Sequence, residues 1–195
     1  MRTASFAYAI EDAIAHAMAK DPRVIIIGED VHGIRANLLV RFGKERILTT
    51  PISESAFVGA SVTAAMAGMR PIVEVMLVDY IGVTLDAIIN HAAKNEFFSR
   101  GKWKVPLVIR TACGGGYGDA GQHEQSLWGW LAHIPGLSVV VPSTPADAGG
   151  LMLAAIEHDG PVVYFEHKLL SDYWLDWMGG SHSSHLCYYI HACYA

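Results

Sequence analysis

Asp21-Pro22-Arg23-Val24-Ile25-Ile26-Ile27-Gly28-Glu29-Asp30-Val31 decides the fold. Asp21-Pro22 stops a helix, because a proline ring pushes the preceding residue out of the helical region. Val24 to Ile27 is a short, unbroken β-branched run, the composition of a strand covered on both faces. Gly28-Glu29-Asp30 closes it. Upstream, Phe6, Ile10, Ile14 and Ala17 recur at a helical period across residues 5–20. Downstream, residues 32–50 read as loop and short helix, and residues 55–67 as a helix rich in Ala and Gly that stops at Gly68. Pro71 to Met76 reads as a strand. Residues 82–99 read as a helix with Leu85, Ile88, Ile89, Ala92 and Ala93 on one face. Leu107 to Arg110, Val139 to Val141 and Val162 to Phe165 read as further strands, with helices near 124–132 and 145–157. Strands and helices alternate, so the expected fold is α/β, a doubly wound and mainly parallel sheet with helices on both faces. Ligands of such sheets sit at the carboxyl ends of strands. Glu29, Arg110 and Glu166 are each expected at or just after such an end.

The chain of 195 residues can form one substantial domain. Just over half of it is hydrophobic and 17% is charged, which fits a large core and not disorder. A net charge of −5 without a basic run argues against a nucleic-acid partner. No apolar stretch reaches the ~18 residues of a membrane span, and the first residues lack the apolar core of a signal peptide. Cys113, Cys187 and Cys193 form no CxxC pair and no zinc spacing, which suits a reducing cytoplasm. No repeat of fixed period occurs.

Several residues are candidates for chemistry. Glu54, in Pro51-Ile52-Ser53-Glu54, stands where a helix begins. It is a helix cap near Ser53 or Ser55, or an acid in a crevice made apolar by Ile52, Phe57 and Val58, and pattern alone favours the cap. Glu29 is a crevice acid or a surface acid. Tyr80 is a core tyrosine or a stacking platform for a flat ring. His123, in Gly121-Gln122-His123-Glu124, is a loop histidine or a proton donor. The glycine-rich loop Gly114 to Gly118 matches no phosphate-binding spacing and reads as a flexible passage of backbone. The segment 181–195 contains no Lys, Arg, Asp or Glu. Its His182/His185 and Cys187/His191/Cys193 spacings lack the pairing of a zinc site, and an atypical or aberrant tail is the expectation.

The order of motifs resembles the beta subunit of thiamine-diphosphate-dependent 2-oxoacid dehydrogenases, the decarboxylating first component of pyruvate and branched-chain complexes, with acetoin dehydrogenase in the same group. The matching stretches are Asp21 to Val24 and Gly28 to Val31, Phe42-Gly43 with Arg46, Thr50 to Glu54, and Ala65 to Pro71. They continue with Asn90 and Ala92-Ala93-Lys94, Gln122-His123, His133 to Leu137, and Pro161 to Val163 with Glu166. The resemblance covers residues 5–170. It implies a pyrimidine-binding domain of transketolase type over residues 1–178, a tail at 179–195, and no C-terminal transketolase-type domain.

The resemblance also implies roles. Glu54 takes the position of the family's catalytic glutamate, whose carboxyl favours the imino tautomer of the cofactor's aminopyrimidine. Glu29, Ile52 and Tyr80 would shape the pyrimidine pocket, and His123 would move a proton near the lipoyl group. Glu124 replaces the serine usual after this histidine. Thiamine diphosphate would be shared with an alpha subunit that holds Mg²⁺ through a Gly-Asp-Gly…Asn motif, absent here. The expected assembly is a heterotetramer serving a lipoyl-bearing acyltransferase, with no membrane partner. Some members hold potassium near positions matching Leu107, Ala155, His158 and Gly160. Here His158 replaces an Asp and Gly160 an Asn, so no metal ligand is assigned. The expected reaction is decarboxylation of a 2-oxo acid, pyruvate foremost, of the acetyl-transferring pyruvate dehydrogenase type. Its rivals are acetoin cleavage, transketolase-like carbon transfer, and a truncated interaction module without catalysis. The acyl chain is not legible from the sequence.

Overall fold

A computed structural model describes residues 2–115, 121–171 and 188–190 of the chain. Its strands are β1 (Arg2–Ala4), β2 (Val24–Glu29), β3 (Ile47–Thr50), β4 (Arg70–Leu77), β5 (Val108–Cys113), β6 (Ser138–Val140), β7 (Val162–His167) and β8 (Tyr188–Ile190). Its helices are α1 (Phe6–Lys20), α2 (Val31–Ile34), α3 (Ala36–Phe42), α4 (Glu54–Met66), α5 (Asn95–Phe98), α6 (Trp128–Ala132) and α7 (Pro145–Glu157). Six strands form one parallel sheet in the order β3-β2-β4-β5-β7-β6. The short β1 and β8 pair antiparallel beside it. No described helix is long and apolar enough to cross a membrane.

Alternation along each strand sends side chains to opposite faces. Val24, Ile26, Ile72, Val108, Val162 and Tyr164 face a core built with α1, α3 and α7. Ile27, Val73, Val75, Ile109, Val163 and Phe165 face a second core built with α4 and residues 78–92. Both faces are therefore covered, as the unbroken apolar runs require. Helix α1 starts under the hydroxyl of Ser5, which accepts from the Tyr8 amide, and ends where the Asp21 amide donates to Ala17. Phe6, Ile10, Ile14 and Ala17 are its buried stripe.

The chain leaves β2 outward to β3 over the first face, through α2 and α3. It returns past β2 to β4 over the second face, through α4. The connections leaving β2 and β4 thus diverge to opposite faces, so the carboxyl ends of these two strands flank the topological switch point, where sheets of this kind form their ligand crevice.

Three sequence expectations change. Ile47–Thr50 is an edge strand, not loop; its four residues are too few to show a period. Residues 82–99 are not one helix. They form a 3-10 turn (Val78–Thr84), a wide π turn (Ala87–Ala92) closed by the bond from the Ala93 amide to the Ile88 carbonyl, and α5. Ile88, Ala92 and Ala93 are buried, while Leu85 and Ile89 are half-buried. A stripe spaced four and five residues apart suits the wider turn, and helical periodicity does not separate the two. Helix α6 starts at Trp128, so His123 lies on a turn before it. Gly116 to Gly118 and the tail residues His182, His185, Cys187, His191 and Cys193 lie outside the described residues.

Candidate active site

Glu29 is the last residue of β2 and Glu54 the first of α4, so both carboxylates stand at the mouth of the crevice. Burial holds the Glu29 carboxyl above its ordinary value, and the charges of Glu54 and Asp30 add to that effect. Glu54 is half-buried and makes no hydrogen bond or ion pair among the described residues. Neither nearby serine caps α4: the Ser53 hydroxyl donates to Pro51 O at 3.1 Å, and the Ser55 hydroxyl donates to Val83 O at 2.5 Å. The second bond ties the start of α4 to the 3-10 turn that carries Tyr80. Phe57 and Val58 point into the second core, whereas Ile52 is 76% exposed.

Tyr80 and His123 meet directly. The phenol oxygen lies 3.0 Å from His123 Nε2, and the rings stand edge to face at 5.9 Å between centroids. His123 Nδ1 is buried without a hydrogen-bond partner among the described residues. The turn bearing His123 is tied through Gln125 to the residue after β5 and to the 3-10 turn that carries Tyr80. The Gly114 amide donates to Gln125 O at 2.9 Å, and Gln125 Nε2 donates to Asp79 Oδ1 at 2.7 Å. Glu124 turns its carboxylate toward Gly115, where an added Cβ would meet Oε2 at 2.6 Å.

Arg110 and Glu166 are not at strand ends. They stand at the third position of β5 and the fifth of β7, facing the same side as Tyr164. There they belong to a buried row of alternating charge. Arg35 donates to Glu74 at 2.8 Å, Arg110 bonds both Glu74 and Glu166, and the Ser171 hydroxyl donates to Glu166. Burial alone would raise the Glu74 carboxyl, but the Arg110 and Arg35 guanidiniums outweigh it and hold the group below its ordinary value. A charge inside a strand is expected to be paired in this way, and the row is structural.

The positions compared with a potassium site are engaged otherwise. Leu107 O accepts from the Val162 amide at 2.8 Å. Ala155 is buried on α7. The His158 ring lies against Gly160, where a Cβ would meet Nε2 at 3.0 Å. The Arg70 guanidinium takes the carbonyls of Ile156 and His158 at 2.9 and 3.1 Å and pairs with Asp159 at 2.6 Å. Among the described residues, no group of three His, Cys, Asp or Glu side chains could hold a metal ion. An open groove of about 1080 Å³, lined by Ala93, Phe97, Phe98, Val105, Gly136 and Pro161 among others, lies before β5 and β7, at the amino ends of the strands. It contains none of Glu29, Glu54, Tyr80 and His123.

Sequence reasoning missed Asp79, Gln125, His167 and Lys168 around the His123 turn. The strand-end rule that singles out Glu29 marks Glu166 on β7 when that strand is read as ending at Phe165; it runs on to His167, so the residues at its end are His167 and Lys168.

Fold, topology and side-chain placement together are those of a crevice at the carboxyl edge of a parallel sheet. The model for the transketolase pyrimidine-binding domain matches residues 2–172, and the chain belongs to that family. Relatives include the beta subunit of acetoin:2,6-dichlorophenolindophenol oxidoreductase from Bacillus subtilis (strain 168), 44% identical over 185 residues, covering 86% of this chain and 54% of the relative. The 2-oxoisovalerate dehydrogenase beta subunit of the same organism is 43% identical, covering 86% and 53%. The beta subunit of the pyruvate dehydrogenase E1 component from Rhizobium meliloti (strain 1021) is 41% identical, covering 87% and 38%. The chain thus spans about half the length of the curated relatives it matches, or less. A solved split-gene transketolase, titled an inactive beta4 tetramer, shares the fold with a TM-score of 0.68 at 19% identity, covering 84% of this chain and 50% of that one.

Proposed function

We propose that this chain is the pyrimidine-binding part of the beta subunit of a thiamine-diphosphate-dependent 2-oxoacid dehydrogenase. It would act with an alpha subunit in the cytoplasm. The reaction is decarboxylation of a 2-oxo acid, pyruvate foremost, followed by transfer of the acyl group to a lipoyl carrier. The observation that carries this reading is the convergence of Glu29, Glu54 and the Tyr80–His123 pair on elements that meet at the topological crevice.

The residues present fit an aminopyrimidine. Glu54 has a carboxylate without a hydrogen-bond or ion-pair partner among the described residues, Glu29 is a neighbouring acid with raised proton affinity, and Tyr80 offers an aromatic face. When bound, thiamine diphosphate supplies the carbanion chemistry of the reaction. The chain supplies position and protons. Glu54 would hydrogen-bond the ring nitrogen of the pyrimidine through its carboxyl. Burial, and after it the charges of Glu54 and Asp30, raise the proton affinity of Glu29 beside it. His123, oriented through Nε2 by Tyr80, serves proton transfer near the second substrate. The alpha subunit would bind the diphosphate through Mg²⁺.

Acetoin cleavage on the same residues is the second reading, favoured by acetoin relatives at 44% identity from two organisms. Co-expression with an alpha chain bearing Gly-Asp-Gly…Asn tests the proposal. Co-purification, saturable thiamine-diphosphate binding only in the pair, and carbon dioxide released from pyruvate are the expected results. Turnover of acetoin alone selects the second reading. A chain that captures an alpha subunit but leaves it without cofactor binding is an interaction module, and the enzymatic proposal then fails.

A further inference from the structure

Lys168 follows β7 and opens the 3-10 turn Lys168–Leu170, yet it is 1% exposed. Burying an ammonium is costly unless hydrogen bonds compensate, and its three donors can serve only acceptors. Its Nζ donates to the backbone carbonyl of His123, 45 residues earlier. Of the other ties on this segment, the Gly114 amide bond to Gln125 O joins two neutral backbone groups and the Gln125 Nε2 bond reaches the Asp79 carboxylate, and Lys168 adds a buried ammonium donor beside them. The imidazole itself is anchored at Nε2 by Tyr80, while Nδ1 has no partner among the described residues. With one ring nitrogen anchored, ring placement depends on where the backbone at residue 123 is held.

We infer that Lys168 is a positioning residue of the candidate site: its buried ammonium fixes the backbone of residues 121–127 from beneath and thereby sets the imidazole of His123. The inference rests on the reading of His123 as a site residue. The surroundings agree with a charge held under the ends of β5 and β7. The His167 imidazole is held below its ordinary value by burial and then by Lys168. Burial pushes the Cys113 thiol up to about 12 against the opposing pull of Lys168, so that thiol stays protonated and is not a rival nucleophile. The adjoining backbone is shaped to leave room for this arrangement. Gly114 has φ +88°, and a Cβ there would lie 2.3 Å from His167 Nε2.

The test compares Lys168→Met with Lys168→Arg in the full chain paired with its alpha subunit. Amide exchange at Gly114 and the ¹⁵N resonances of His123 report the segment without relying on turnover. In Lys168→Met the Gly114 amide exchanges about 10- to 100-fold faster, the equivalent of one charge-assisted hydrogen bond, while Thr111 inside β5 is unchanged. Lys168→Arg restores most of the protection. Wild-type exchange and His123 resonances in a folded Lys168→Met overturn the inference. Where Lys168→Met does not fold, Lys168→Gln is read by the same two outcomes. A kcat that falls at constant KM is expected alongside. A loosened Gly114 with unchanged kcat upholds the positioning role and refutes the catalytic reading of His123.

Discussion

Replacing Arg110 with methionine tests the buried row of charge that crosses the sheet. Arg110 is 4% exposed between Glu74 at 3% and Glu166 at 0%. In Arg110→Met, Glu74 keeps Arg35 at 2.8 Å, but among the described residues Glu166 keeps only the Ser171 hydroxyl. One buried carboxylate is then uncompensated. Breaking a buried pair by removing one partner costs about 3–5 kcal/mol. That is a large share of the roughly 5–15 kcal/mol expected for a whole domain. At about 2–4 °C per kcal/mol for a chain of this size, Tm falls by about 6–20 °C. The double variant Arg110→Met/Glu166→Gln leaves a neutral row and regains more than half of the loss. Urea unfolding at pH 7 and pH 5 separates the terms. The stranded Glu166 of the single variant has a raised proton affinity, so its deficit shrinks as pH falls. Glu74 in the wild type has a lowered one, so its contribution is full above its ordinary 4.5 and is lost as pH falls through the folded value. A single variant within about 1 kcal/mol of wild type would refute the reasoning, as would a double variant no more stable than the single one.

Glu29 has the opposite sign, because its folded carboxyl is raised above the ordinary 4.5. Glu29→Gln is expected to be more stable than wild type at pH 7 and indistinguishable near pH 4; an equal Tm at both values means the crevice does not perturb this acid. Gly136 has φ +92°, and a Cβ there would lie 2.1 Å from the backbone oxygen of Ala93. Gly136→Ala therefore combines backbone strain with a clash against rigid backbone, and a loss of about 2–5 kcal/mol is expected in urea unfolding.

Much of the fold was legible because it rests on local rules. Val24 to Ile27, the Asp21-Pro22 stop and the α7 range 145–157 each carry their own signal, and the structure has them there. The edge strand at 47–50 was not legible, because four residues paired on one side only show no period. The π turn was hidden for a related reason: a stripe of Ile88, Ala92 and Ala93 suits two helical windings. At the site, Glu29 could be suspected from the end of a buried strand. The row Arg35–Glu74–Arg110–Glu166 could not, because strand register sets Glu74 beside Arg110 and places Glu166 two residues along from Arg110's partner, while Arg35 comes from the junction of α2 and α3. The carboxylate meaning of Glu54 came from the resemblance, since an acid at a helix start is otherwise a cap. The structure leaves that capping role unfilled by the neighbouring serines.

Deuterium exchange at the thiazolium C2 position of thiamine diphosphate, measured in the reconstituted subunit pair without substrate, probes Glu54 directly. Glu54→Gln should slow that exchange by about 10²- to 10⁴-fold, the range of general acid–base catalysis, with assembly and cofactor binding preserved. An exchange rate equal to that of the unmutated pair would contradict the account.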